Sequence, residues 1–171
     1  MTAGGTAGGS AGDLVDPGVD PGHSDLDAME AERLRWYELT RLVRLLRPDE
    51  CLEPGYYRDP MWSVRDLIGH IGTWLAEAEV QLQQVNAGTY EGHDVDIDAL
   101  NATFLEAMQG QPWEVASVQA YSGRTRMLQE WHDLKAPDEE ARWWLRKAGA
   151  DHYNDHLDRL HAWVDELIAR R

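Results

Sequence analysis

His152 and His156 stand four residues apart in the run Gly149-Ala-Asp-His-Tyr-Asn-Asp-His-Leu-Asp-Arg-Leu-His161. On a helix that spacing puts two imidazoles one above the other on the same face. At about 100° per residue, Leu145, Gly149, His152, His156, Leu160, Trp163 and Leu167 fall within roughly 40° of one line. The histidines therefore sit midway along an otherwise apolar stripe. Imidazoles in such a place need partners, either core hydrogen-bonding groups or a metal ion. A metal site needs ligands from more than one helix. His70, in Trp62-Ser-Val-Arg-Asp-Leu-Ile-Gly-His-Ile-Gly-Thr-Trp74, is the candidate on a second helix. It shares a face with Asp66, Trp74 and Glu77 at the edge of an apolar stripe, a position that suits the rim of a pocket.

The elements that must hold these residues read as helices. The first is expected from Ala28 to Leu46, stopped by Arg47-Pro48-Asp49. A loop rich in Pro, Gly and Tyr follows, through Pro60. Ser63 is a plausible N-cap with Asp66 at the third position after it, opening a helix that runs to Asn86 and closes at Ala87-Gly88. A shorter helix is expected over 96–109, ended by Gly110 and Pro112. Trp113 to Leu134 forms another helix. Pro137 suits the first position of the last one, followed by Asp138, Glu139 and Glu140, acids that favour a helix N-terminus. That helix reaches Arg170, with a break expected near Gly149. No alternating β-branched run predicts a sheet. The economical architecture is an all-α, antiparallel four-helix bundle with one short inserted helix, over 28–171.

Residues 1–27 are dominated by Gly, Ala, Asp and Pro. They carry Asp13, Asp16, Asp20, Asp25 and Asp27 and no Lys or Arg. So little apolar surface predicts a disordered tail. It has neither the basic start nor the apolar run of a signal peptide. In 171 residues, 16 Lys and Arg face 31 Asp and Glu, a net charge of −15. That balance argues against a nucleic-acid partner and against an anionic membrane surface, and no stretch is apolar enough to span a bilayer. The single Cys51 excludes an intrachain disulfide and suits a reducing, cytoplasmic setting. Nothing in its surroundings marks it as an activated thiol.

The Trp-Ser-Val-Arg-Asp-Leu-Ile-Gly-His context of His70, combined with His-x-x-x-His on the last helix, resembles the DinB/YfiT-like superfamily. That superfamily includes bacterial thiol transferases and the N-terminal domain of mycothiol-dependent maleylpyruvate isomerases. It also includes proteins similar to the colibactin self-resistance cyclopropane hydrolase. The resemblance covers 28–171. It implies a four-helix bundle and a divalent metal, zinc or nickel, held at one end by His70, His152 and His156. The isomerase branch often has Glu where this chain has His152.

Three neutral imidazoles leave an open coordination position. A thiol there loses its proton and becomes a nucleophile, whereas water becomes hydroxide near neutral pH. Asp66, Glu77, Asp151, Tyr153 and Asp155 are the surrounding polar candidates. Glu77 is placed to orient a ligand or act as a base. Arg124, on one face with Tyr121, Met127, Leu128 and Trp131, is placed to hold an anionic substrate group or to form an ion pair. Trp62, Trp74 and Trp163 flank the histidines and could wall a pocket. The expected partner is a small molecule, with mycothiol as cosubstrate; association into a homodimer is left open. Three functions follow: a thiol-using transferase or isomerase, a self-resistance or detoxification hydrolase, and a non-catalytic ligand-binding bundle.

Overall fold

The computed structural model describes residues 21–92 and 95–171. Six helices carry most of them: α1 Pro21–Val43, α2 Val64–Ala87, α3 Ile97–Met108, α4 Trp113–Asp133, α5 Glu139–Ala148 and α6 Ala150–Ala169. The all-α expectation holds with one addition. The loop between α1 and α2 contains a 3₁₀ turn, Glu50–Leu52, and a small antiparallel hairpin. Its strands are β1 Tyr57–Arg58 and β2 Met61–Trp62, with Tyr57 opposite Trp62. Two residues per strand are too few for a periodic signature, so the hairpin escapes a pattern-based reading.

Local chemistry explains several helix ends. The Ser63 hydroxyl accepts from the Asp66 amide, and the Asp66 carboxylate accepts from the Ser63 amide, a reciprocal capping box that opens α2. Gly88 closes that helix in the left-handed region, at φ +69°. Asp96 caps α3 as expected.

Several boundaries differ from the sequence-based reading, among them the end of α1, at Val43 rather than Leu46. α1 begins at Pro21 rather than Ala28, and Asp25 within it pairs with Arg142 of α5 at 2.7 Å. A contact so distant in sequence leaves no local trace. The expected disordered tail thus overlaps α1 at 21–27, and its first 20 residues lie outside the described residues. On α5, Asp138 rather than Pro137 sets the start, because its carboxylate accepts from the Ala141 amide at 2.8 Å.

The anticipated break falls at Gly149, which joins α5 directly to α6 with φ −101° and ψ −114°. A side chain there has no room. A Cβ would lie 2.5 Å from the Leu145 carbonyl oxygen and 3.0 Å from the Glu32 Cγ.

α2 is the central element, packing on α3, α4 and α5, while α6 packs on α1 and α5. Leu67, Ile71, Leu75 and Leu82 on α2 are fully buried, together with Leu39, Met127, Trp144, Leu145 and Leu160. α2 and α4 cross on glycine. A Cβ on Gly72 would stand 3.0 Å from the Ala120 backbone nitrogen, and one on Gly123 would stand 3.3 Å from the Gly72 carbonyl oxygen. Gly69 is different, since its nearest neighbour would be the Met108 Cβ at 3.4 Å.

Gly72→Ala and Gly69→Ala gain the same helix propensity, but only the first forces two backbones apart. Gly72→Ala should be less stable than Gly69→Ala by about 1–3 kcal/mol in urea unfolding. Equal stability would show that the α2–α4 crossing is not limited by this contact.

Candidate metal centre

His70 comes from α2; His152 and His156 come from consecutive turns at the start of α6. The capping box at Ser63 and Asp66 fixes where α2 begins, and so the height of His70 along it. The turn at Gly149 sets where α6 begins, and so the heights of His152 and His156. All three imidazoles are buried, at 7%, 7% and 9% exposure. One candidate ligand atom from each lies within 4.8 Å of the others. The closest pair is His70 Nε2 and His152 Nε2, 3.0 Å apart.

Burial governs the charge state. Desolvation pushes the His70 imidazole down to about 3, and the His156 ring nearby pushes the same way. His156 falls to about 4 through burial, against an opposing pull from Asp155. His152 is held well below its ordinary value, first by burial and then by His70, His156 and Lys147. Neutral imidazole is the form that ligates a metal.

The donor set fits a divalent cation. Two neutral imidazole nitrogens at 3.0 Å share either one proton or one cation. Metal–nitrogen bonds of about 2.0–2.1 Å at tetrahedral angles would place ligand nitrogens about 3.3 Å apart, close to this spacing. His152 Nδ1 is buried and has no hydrogen-bond partner among the described residues, which leave this ring incomplete. At His156, Nδ1 meets the Tyr57 hydroxyl at 3.0 Å, and the Tyr56 hydroxyl donates to the His156 carbonyl at 3.2 Å. Hydrogen bonds of this kind hold a ligating imidazole in one orientation. The hairpin residue Tyr57 thus holds the ring through Nδ1.

Aromatic rings surround the cluster. Trp62 lies 5.1 Å from His70 and Trp74 lies 5.7 Å from His152, centroid to centroid. A cavity of about 200 Å³ opens beside the histidines, lined also by Ile97 and Asn101 of α3, Lys147 of α5 and Asp155 of α6. Of the three expected wall tryptophans, Trp74 lines this cavity, whereas Trp62 lies against His70 without lining it. Trp163 instead packs beneath the Arg159 and Arg170 guanidiniums.

The two residues expected to act on a substrate lie elsewhere. The Glu77 carboxylate accepts from Gln81 Nε2 at 2.7 Å, one turn further along α2, and does not line the cavity. Arg124 makes a two-pronged pair with the buried Glu32 of α1, at 2.7 and 2.6 Å, and Tyr153 donates to the same carboxylate at 3.1 Å. The guanidinium also lies 5.2 Å over Trp36. Arg124 and Tyr153 thus join α1, α4 and α6 rather than face the histidines. Asp66 is consumed by the cap of α2 and by Arg65. Cys51 is buried, and desolvation raises its thiol to about 11, the opposite of activation.

Asp155 is the carboxylate that does line the cavity. Sequence reasoning missed Tyr57, Lys147 and Asn101. Tyr57 has no local signal, since a hairpin carries it to α6. Asn101 sits on the inserted helix, whose polar residues look solvated in isolation.

No protein-family model matches the chain, no curated protein matches it, and no solved structure matches it.

Two outcomes are expected. Arg124→Met leaves the Glu32 carboxylate buried without its cation and should cost about 3–5 kcal/mol in urea unfolding, most of it recovered by adding Glu32→Gln. Unchanged stability in the single variant would show that the pair is not needed. The second concerns acid. The folded-state pKa values of the three imidazoles lie below the unfolded value of about 6.5, so the unfolded chain binds more protons between them. Stability of the chelator-treated protein is therefore complete above about pH 6.5 and falls as pH drops toward 4. A melting temperature that drops from pH 6.5 to 5, where carboxylates are still mostly ionised, and drops less in His70→Gln, is the expected result. A flat profile would contradict neutral burial.

Proposed function

We propose that the chain is a metal-dependent small-molecule enzyme, built as a DinB-like four-helix bundle, that uses a low-molecular-weight thiol such as mycothiol. The observation that carries this reading is the buried His70, His152 and His156 cluster opening onto a cavity of about 200 Å³. Three imidazoles with no carboxylate among them leave room for a further ligand. The motif context of His70 and the spacing of His152 and His156 support the DinB-like assignment.

When bound, a zinc or nickel ion supplies a Lewis-acidic position that lowers the pKa of a thiol or water placed there. The chain's own residues do the rest. His70, His152 and His156 hold the ion through neutral rings, and Tyr57 fixes the His156 ring through Nδ1. Trp62 and Trp74 shield the cluster, which keeps competing water away from a thiol nucleophile. The Asp155 carboxylate, at the exposed edge of the cavity, accepts the proton that the thiol gives up and passes it to solvent. The thiolate then forms a C–S bond at an electrophilic carbon of the substrate held in the cavity, and the electron pair displaced from that carbon takes up a proton from solvent. Arg124 and Glu77 are outside this scheme.

Metal-loaded protein incubated with an electrophile should form thiol adducts or a thiol-dependent isomer only when mycothiol is present. Asp155→Asn should slow this about 10²-fold or more while the metal is retained. Equal turnover without thiol, giving a product heavier by one water, would replace this reading with the hydrolase. Tight ligand binding without turnover would replace it with a binding module.

A further inference from the structure

The cavity beside the histidines holds two hydrogen-bond donors that meet no acceptor among the described residues, and they come from two different helices. The first is the Asn101 amide. Trp74 Nε1 lies 2.9 Å from Asn101 Oδ1. An indole N–H can only donate, so the atom facing it must be the amide oxygen, and the amide nitrogen is left as a donor. The second is the Lys147 ammonium. Lys147 is half-buried, lines the same cavity and lies 5.9 Å over the Trp74 ring. Among the described residues it makes no ion pair with a carboxylate, although acids outnumber bases in the chain by 31 to 16. Trp74 meets both side chains, Asn101 at its amide oxygen and Lys147 over its ring.

We infer that Lys147 and Asn101 form a two-donor clamp for an oxyanion of the substrate, a carboxylate by preference, beside the open side of the histidine cluster. The inference rests on the metal reading above and deepens it. A half-buried ammonium loses part of its hydration, and an anionic acceptor restores it. Asp155 lines the cavity too, and its charge repels a carboxylate. The anionic end of a ligand is thereby confined to the Lys147 side, and its apolar body lies against Ile97 and Trp74. α3, which looks from sequence like an incidental insertion, gains a purpose as the carrier of Asn101 and Ile97.

Lys147 also stands in the last turn of α5, where a cation favours the helix C-terminus. A purely structural role of that kind would change stability but not ligand choice. The test therefore compares benzoate with benzamide, which share a shape and differ in charge. Both are titrated into the cobalt-loaded full chain and followed by the visible spectrum of the ion and by tryptophan fluorescence.

Lys147→Met should weaken benzoate binding about tenfold or more, the loss expected for one charge-assisted hydrogen bond, and leave benzamide affinity and cobalt content unchanged. Lys147→Arg should restore most of the preference. Asn101→Leu should weaken benzoate by a smaller factor. An unchanged benzoate-to-benzamide ratio in Lys147→Met, with cobalt bound, overturns the clamp and leaves the metal reading intact. Failure to take up cobalt overturns the metal reading. Fluorescence titration of the metal-free chain then decides the clamp by itself, and equal affinities for the two probes overturn it too.

Discussion

Three imidazoles buried on two helices impose the constraint on which the site depends. Removed from water, each ring must be neutral, and each neutral ring still presents one donor and one acceptor. The surroundings satisfy these only in part. Tyr57 meets His156, His70 and His152 meet each other, and among the described residues nothing meets His152 Nδ1. Three features near the cluster hold this arrangement. The cap on α2 sets the height of His70, Gly149 sets the start of α6, and the hairpin closes over the His156 ring.

The rest of the molecule keeps those two helices in register. α2 is seated on α4 through Gly72 and Gly123, which lets the backbones approach to contact. α6 is tied to α1 and α4 through Tyr153, Glu32 and Arg124. Tyr153 follows His152 directly in the chain, so one turn of α6 carries the cluster on one face and this buried network on another. Displacing α1 would therefore reach the histidines through a single residue. The absence of a side chain at 149 belongs to the same design, because Glu32 passes close to that backbone.

Much of this was legible in the sequence where the signal was local. The four-residue spacing of His152 and His156, the Ser63 and Asp66 cap, the stop at Gly88 and the break at Gly149 all act within one helical turn. The nearness of His70 followed from helix-face arguments and motif context. What failed was long-range. Glu32 is an ordinary helix glutamate until a distant Arg124 and Tyr153 enclose it. Arg124 reads equally as an anion holder or half of an ion pair, and only the fold decides. Tyr57 needed the hairpin, and Lys147 and Asn101 needed the packing of α3 and α5 around α2. Glu77 was chosen because it shares a face with His70, but two turns along α2 carry it away from the cavity.

The central claim is that these imidazoles hold one metal ion. Its most direct test is elemental analysis of the untagged full chain, purified without chelator, offered zinc or nickel and then dialysed. The account predicts about one ion per chain in the wild type, and a loss of stoichiometric metal in His70→Ala and in His156→Ala while both variants remain folded by circular dichroism. A wild type that retains no metal, or a His156→Ala variant that retains a full equivalent, would contradict it.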